Sequence, residues 1–190
     1  MTQNSEYTFP FPQKTYNLLY ADPPWRYNQR SNGNTRFSLG VHGHYPTMST
    51  YEISRLPVER IAAPDCALIL WTTFPRLQDG LDVMRAWGFS YKTVAFNWFK
   101  TYPNGAPFFG VGYYSKSNTE IALLGVRGRM PPASNYVSQV VVSPKEEHSR
   151  KPALVREKIV ELFGDLPRME LFAREKAEGW DAWGNEVMQA

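Results

Sequence analysis

Residues 16–27 read YNLLYADPPWRY, an apolar stretch that runs straight into Asp22-Pro23-Pro24-Trp25. Those four residue types suit one difficult reaction, methyl transfer to an exocyclic aromatic amine. Such an amine is a poor nucleophile because its lone pair is delocalised into the ring. Acceptors for its two hydrogens localise that pair on nitrogen. Asp22 offers a carboxylate and Pro23 a backbone carbonyl, and Pro-Pro is stiff and brings no competing N–H. Trp25 offers a broad face on which an unpaired base can stack. Acceptors aimed in advance at developing charge are electrostatic catalysis. The same four letters also spell an Asp-Pro-Pro turn with a packed tryptophan, and the tetrad alone leaves that reading open.

Secondary structure has to carry this tetrad and bring other groups to it. Residues 1–14 are polar and proline-interrupted, which predicts an extended arm ahead of one domain over 15–190. Tyr16–Ala21 is the first strand. Residues 26–43 are rich in Asn, Ser, Gly and Arg without periodicity, the mark of a long loop beside an active site. Ser49-Thr50-Tyr51-Glu52 fits a capping box and opens a helix toward Leu56, where Pro57 interrupts it. The apolar run Ala67–Thr72 reads as a buried parallel strand. A helix from Pro75 to about Trp87 carries Leu77, Leu81 and Met84 on one stripe, and Gly88 stops it.

Tyr91–Phe99 is a strand, and Thr101–Asn118 is a second long loop with glycines and aromatics. Strands follow at Glu120–Val126 and Gln139–Ser143. Lys151–Phe163 reads as a helix with Val155, Ile159, Leu162 and Phe163 inward, ended by Gly164, and Arg168–Phe172 as the last strand. Strands alternating with helices predict an α/β fold, an open, mostly parallel twisted sheet flanked by helices. Ligands of such sheets sit beyond the carboxyl ends of the strands, where Asp22 and Arg174 both fall. No G-x-G-x-x-G run is present, and no repeat or linker divides the chain.

With 190 residues, a single domain can bury a substantial core. No apolar run is long enough for a membrane span, and residues 1–14 lack a signal-peptide pattern. A single cysteine, Cys66, suits a reducing cytoplasm and reads as a buried residue at a strand start. The histidines at 42, 44 and 148 do not compose a metal site, so no metal is expected. Net charge is only +3, yet it is unevenly spread. Residues 23–51 hold Arg26, Arg30 and Arg36, and residues 83–119 hold Arg85, Lys92, Lys100 and Lys116, neither with an acid. Residues 121–145 add Arg127, Arg129 and Lys145, again without one. Either these are scattered solvated charges or they form a basic rim that binds phosphate.

The chain resembles the MT-A70 family of S-adenosylmethionine-dependent adenine-N6 methyltransferases over about Tyr16 to Glu186. The matching segments are Asp22-Pro23-Pro24-Trp25, Tyr45-Pro46-Thr47-Met48, Leu68-Ile69-Leu70-Trp71, Trp87-Gly88-Phe89 and Glu120 with Gly125-Val126-Arg127-Gly128. They continue through His148-Ser149-Arg150-Lys151-Pro152, Glu170-Leu171-Phe172-Ala173-Arg174 and Trp183-Gly184-Asn185-Glu186, in the family's order. The resemblance implies a Rossmann-like methyltransferase domain in a permuted order, with the amine-binding half before the cofactor half.

It also implies roles. Asp22 and Pro23 bind the amine, while Pro24 and Trp25 shape the pocket. Tyr45 contacts the target base, with Glu120 nearby, and Lys151 lies near the catalytic carboxylate and the polar end of S-adenosylmethionine. Phe172, Arg174, Asn185 and Glu186 hold the adenosyl portion, the last two being suited to ribose hydroxyls. Arg26, Arg30, Arg36 and Lys116 are candidates for phosphate contacts. Bland alternatives stay open, with Lys151 starting a helix, Phe172 in the core, and Trp180 and Trp183 as packing residues. Two departures stand out. Residues 8–21 contain no acid to read the cofactor's adenine, where backbone near Phe9–Phe11 could substitute, and Glu175-Lys176 differ from some relatives.

The resulting expectation is a cytoplasmic adenine-N6 methyltransferase, monomeric or homodimeric, acting on nucleic acid, with DNA favoured over RNA because the chain is compact. An RNA enzyme, a protein-glutamine methyltransferase and a non-catalytic nucleic-acid-binding subunit are the rivals. Asp22 and Trp25 disfavour the second, where Asn-Pro-Pro followed by Tyr or Phe is usual, and the intact motifs disfavour the third.

Overall fold

Five of the six residues of β1 (Tyr16–Ala21) are buried, as its apolar sequence requires of a strand covered on both faces. The structure, a computed structural model, describes residues 10–26, 47–112, 114–146 and 150–188. β1 pairs in parallel with β2 (Ala62–Thr72) on one side and β6 (Arg168–Leu171) on the other. With β3 (Ser90–Thr101), β4 (Thr119–Arg127), β5 (Val140–Pro144) and β7 (Asp181–Trp183) they make a seven-stranded sheet of order β5-β3-β4-β2-β1-β6-β7. The expected strands are all present. β7 was not expected, because three residues at a sheet edge carry no periodic signal.

One strand runs against the rest. β4 is antiparallel to both β2 and β3, whereas the remaining neighbours pair in parallel, so the sheet is mixed. The reversal matters for position. A strand running backwards begins at the edge where its neighbours end, so Glu120 near the start of β4 lies level with the ends of β2 and β3.

Helices cover both faces. Leu19, Ala21, Leu68 and Leu70 alternate onto one face against Ile53 of α1 (Thr50–Ser54) and Val83 and Met84 of α2 (Leu77–Ala86). Leu18, Tyr20, Ala67, Ile69 and Trp71 alternate onto the other against Val155 and Ile159 of α3 (Leu154–Phe163). Each such Leu, Ile or Val contributes roughly 1.5–3 kcal/mol by leaving water. The capping box is present, with the Glu52 N–H donating to Ser49 Oγ at 3.2 Å and the Ser49 N–H to Glu52 at 2.7 Å. Cys66 is fully buried where the regular pairing of β2 with β1 resumes.

Two helix expectations are corrected. On α2 the buried positions are Gly80, Val83 and Met84, while Leu77 is exposed and Leu81 only partly buried. Gly80 is where the helix comes closest to the sheet, since a Cβ there would meet Thr72 and Leu123 at 3.3 Å. That approach tips Leu77 outward. α3 begins at Leu154 rather than Lys151. Lys151 precedes Pro152, whose ring disfavours helical backbone in the residue before it. The lysine is therefore free of the helix and turns toward the sheet.

The expected arm is anchored where it enters the described residues. The Phe11 ring sits edge-on to Trp183 at 5.1 Å, and Lys14 and the Tyr16 hydroxyl both reach Asp181 of β7 at 2.9 Å. Among the described residues no helix is long and apolar enough to cross a membrane.

Candidate active site

Asp22 leaves the end of β1 two residues after Tyr20, on the same face as Tyr20 and Trp71. The turn that follows is fixed by backbone bonds. The Trp25 N–H donates to the Pro23 carbonyl at 2.9 Å, and the Met48 N–H donates to the Pro24 carbonyl at 2.8 Å. Pro23's carbonyl is thereby aimed, with one of its lone pairs in use.

Lys151 Nζ sits 2.8 Å from Asp22 Oδ2 and 3.3 Å from Glu120 Oε2. Lys100, on the last turns of β3, closes on Glu120 Oε1. The four side chains form an alternating line, Asp22–Lys151–Glu120–Lys100, two negative and two positive charges at the carboxyl edge of the sheet. Aromatic rings floor it. Lys151 Nζ lies 5.5 Å from the Trp71 ring centre and Lys100 Nζ 5.0 Å from that of Trp98.

Burial governs the electrostatics. It pushes the Asp22 carboxyl up from the ordinary aspartate value, and Lys151 offsets only part of that. Burial alone would push Glu120 the same way, but Lys151 and Lys100 together hold it below the ordinary glutamate value. Burial opposes the charge on Lys151, yet Asp22 and Glu120 outweigh it and keep the ammonium protonated well beyond neutrality. Asp22 is thus the least comfortable anion of the cluster.

The sequence-derived roles for Trp25 and Lys100 need correction. Trp25 is buried in the core, and its Nε1–H donates to the Trp71 carbonyl at 3.1 Å. It buttresses the Asp22-Pro23-Pro24 turn from below and does not present an open face for stacking. Lys100 is committed to Glu120 inside the sheet edge and is no phosphate contact. Its part was missed because a lysine two residues after Trp98, at a strand end, looks like a solvated charge. The only signal was its pairing partner, since Glu120 lies directly across the ladder from Trp98.

On the far side of β1, β6 and β7 end together and bring the last two motifs side by side. The Ala173 N–H donates to the Trp183 carbonyl at 3.0 Å. Gly184 is pressed so closely to this strand end that a Cβ would lie 2.3 Å from the Ala173 carbonyl oxygen. Phe172 adopts φ +62, a left-handed conformation rarely held by a non-glycine residue, and stands edge-on to Trp183 at 5.8 Å. Its ring is buried, as are Trp180 and Trp183. Arg174 Nε faces Glu186 at 3.7 Å, and the Arg174 charge adds a small opposing pull to the burial that raises the Asp22 carboxyl. The two halves of the site are therefore electrostatically one.

Asn185 Oδ1 is buried and accepts no hydrogen bond from protein. A buried carbonyl oxygen without a donor costs about 1–3 kcal/mol, so its position in this crevice fits a ligand hydroxyl that supplies the donor. Asn185→Ala should weaken S-adenosylhomocysteine binding by roughly 0.5–1.5 kcal/mol, with a smaller effect on transfer at saturating cofactor. Calorimetric titration reads this, and unchanged affinity would make Asn185 structural.

A second buried pair supports β6. Arg156 of α3 grips Glu170 through two bonds of 2.7 and 3.1 Å, next to Tyr20, whose hydroxyl accepts the Trp71 Nε1–H at 2.7 Å. The acid inside an apolar strand was the signal for it. Arg26 donates to the Thr47 carbonyl at 3.1 Å and faces Glu52 at 3.6 Å, while its own backbone carbonyl accepts from Arg76. The Arg26 N–H donates to the Met48 carbonyl at 2.9 Å. The ends of the 27–46 segment are therefore tied to one another beside the tetrad. Tyr45, Arg30, Arg36 and His148 lie outside the described residues. Lys116 is exposed near the tip of the loop between β3 and β4. Among the described residues no cluster of His, Cys, Asp and Glu is arranged to hold a metal ion.

A family model described as MT-A70 matches residues 16–186. Similar proteins include the Type II methyltransferase M.MunI of a Mycoplasma species, 36% identical across 93% of this chain and 79% of its own. The N(6)-adenine-specific methyltransferase METTL4 of Homo sapiens is 29% identical, with 93% of this chain covering 38% of that one. The N6-methyladenosine RNA methyltransferase MTA1 of Cryphonectria parasitica is 28% identical, with 92% of this chain covering 52% of it.

Proposed function

Because this chain belongs to the MT-A70 family, we propose that it transfers a methyl group from S-adenosylmethionine to the N6 amine of adenine in DNA. The observation that carries the reading is the Asp22–Lys151–Glu120–Lys100 line, set behind the Pro23-Pro24 turn and beside the Arg174–Asn185 crevice. RNA is the second reading, since one relative is named for it. That relative is 28% identical, while M.MunI at 36% is named only as a Type II methyltransferase, so nucleoside analysis decides between DNA and RNA. The order of the motifs, tetrad on β1 and crevice after β6 and β7, is read as permuted.

S-adenosylmethionine supplies an electrophilic methyl group on a sulfonium. Asn185 and Glu186 would bind its ribose and Arg174 would bracket them. Phe172 and Phe11 would line the adenine end where an acid is missing, and Lys151 would lie at the amino-acid end. Lys151 occupies Oδ2 of Asp22, so Oδ1 is left to accept one amine hydrogen, and the Pro23 carbonyl accepts the other. Both acceptors localise the nitrogen lone pair toward the methyl carbon. As nitrogen takes the methyl group, the methyl–sulfur bond would break and the sulfonium would leave as a neutral thioether; the nitrogen gains positive charge and its protons become acidic, so one passes late to water without a strong base. Asp22 and the carbonyl are worth most at that moment, when the charge they face is greatest. In a duplex the amine is paired and stacked, so the base must be extruded or already unpaired. Tyr45 is assigned to that base, and Arg26, Arg30, Arg36 and Lys116 to phosphates.

Labelled methyl transfer to DNA, RNA and protein pools, followed by nucleoside and amino-acid analysis, tests the assignment. Label recovered as N6-methyldeoxyadenosine supports it. Label found only in RNA adenosine moves the second reading to first, and label in glutamine or nowhere overturns both.

A further inference from the structure

The loop between β3 and β4 is built, not slack. The Phe108 N–H donates to the Lys100 carbonyl at 2.9 Å, and Gly110 and Ser117 exchange backbone bonds of 2.7 and 3.3 Å. The reversal between them is so tight that a Cβ on Gly112 would lie 2.0 Å from the Ser115 carbonyl oxygen. The result is a small hairpin that springs from Lys100 and Glu120, two members of the catalytic line. Yet this ordered hairpin holds its large apolar side chains in water. Phe109 is 56% exposed, Val111 86%, and Tyr114 is fully exposed.

Charge says what covers them. Residues 83–119 contain no acid, Lys116 stands within the hairpin, and Lys145 reaches over the Phe108 ring at 5.0 Å. Exposed rings on a hairpin that carries a lysine and no acid suit a polyanion with flat faces, whereas an apolar protein partner would not need the lysine. From this the geometry points to a base-stacking finger. Phe109 and Tyr114 stack on unpaired nucleotides that flank the target adenine, while Lys116 and Lys145 meet the neighbouring phosphates. The substrate at this site is accordingly a single strand, or a duplex opened for more than one base. The inference rests on the reading of the protein as a nucleic-acid methyltransferase and adds what holds the strand beside the target.

The test measures equilibrium binding of a fluorescent single-stranded oligonucleotide carrying one central adenine. A matched oligonucleotide has abasic sites on both sides of that adenine. Phe109→Ala with Tyr114→Ala should weaken binding of the intact strand roughly ten-fold or more, as loss of base–aromatic stacking does. Phe109→Trp with Tyr114→Trp should restore it. The abasic strand should bind the wild type as weakly as the intact strand binds the double alanine variant. Affinity for S-adenosylhomocysteine, read on the same proteins, should not change, which excludes a folding defect. Equal binding of the intact strand by wild type and double alanine variant overturns the proposal. So does a wild type that self-associates through these side chains in sedimentation while strand binding is unaltered. Methyl transfer is scored separately. Absent transfer with intact, stacking-dependent binding counts against the enzymatic reading and not against the finger.

Discussion

Asp22→Ala is expected to slow methyl transfer at least a hundred-fold while the fold and most of the cofactor affinity persist. In the mechanism proposed above the carboxylate contacts the amine, and that interaction strengthens as the nitrogen becomes positive, so its loss falls on the transition state. Deleting one such aimed polar group typically lowers kcat by about two to three orders of magnitude. The adenosyl contacts lie across β1 at the ends of β6 and β7, which explains why binding survives. Removal of Asp22 also leaves Lys151 with Glu120, still a paired cation, so the buried cluster is not orphaned. Single-turnover rates together with S-adenosylhomocysteine titration check this. Near-normal turnover would sink the assigned mechanism.

Lys151→Met should have the next largest effect, and its signature is a change with pH. Asp22 must be ionised to accept an amine hydrogen, and burial already places its carboxyl above the ordinary aspartate value. The acid limb of kcat/KM in the wild type therefore lies above that value. Without Lys151 only the weaker pull of Arg174 offsets the burial, so the limb moves to still higher pH and the rate at neutrality falls. Stability follows the same sign. A carboxyl whose folded value is raised disfavours the fold above its unfolded value and ceases to do so as pH falls and the proton is taken up. Breaking a buried pair costs up to ~3–5 kcal/mol, and the cost at Asp22 is relieved on acidification. Glu120 behaves oppositely, since Lys151 and Lys100 lower its value, and its contribution is lost as pH falls through that lowered value. Lys151→Arg should keep the acid limb near its wild-type position. An unshifted limb in Lys151→Met would show that the lysine does not govern Asp22.

Much of this was legible in the residues. β1 and the Asp22 turn came from an apolar run ending in two prolines, and the capping box of α1 from Ser49 and Glu52 alone. Local chemistry sufficed there. What was not legible depends on the path of the sheet. The reversal of β4 leaves no mark in an apolar strand buried on both faces, yet it sets Glu120 beside Lys151. Lys100 became a cluster member only through its neighbour across the ladder. Trp25 has the composition of a stacking platform, and only its burial with Met48 and its bond to the Trp71 carbonyl show a foundation instead. The start of α3 was readable after all, because Lys151-Pro152 forbids the helical turn that periodicity alone suggested.

The tie between Arg26 and Met48 has a wider consequence. Arg26 and Met48, which flank the twenty residues of 27–46 in sequence, are joined backbone to backbone, so the tetrad is insulated from the length of chain between them. Doubling such an excursion adds only about 0.6 kcal/mol of closure entropy. Grafts of other lengths between the same anchors should leave S-adenosylhomocysteine affinity unchanged, and a marked loss would refute the insulation. Chain length between these anchors can then change in evolution without displacing Asp22, whose place is set by the end of β1 and not by what lies between residues 26 and 48.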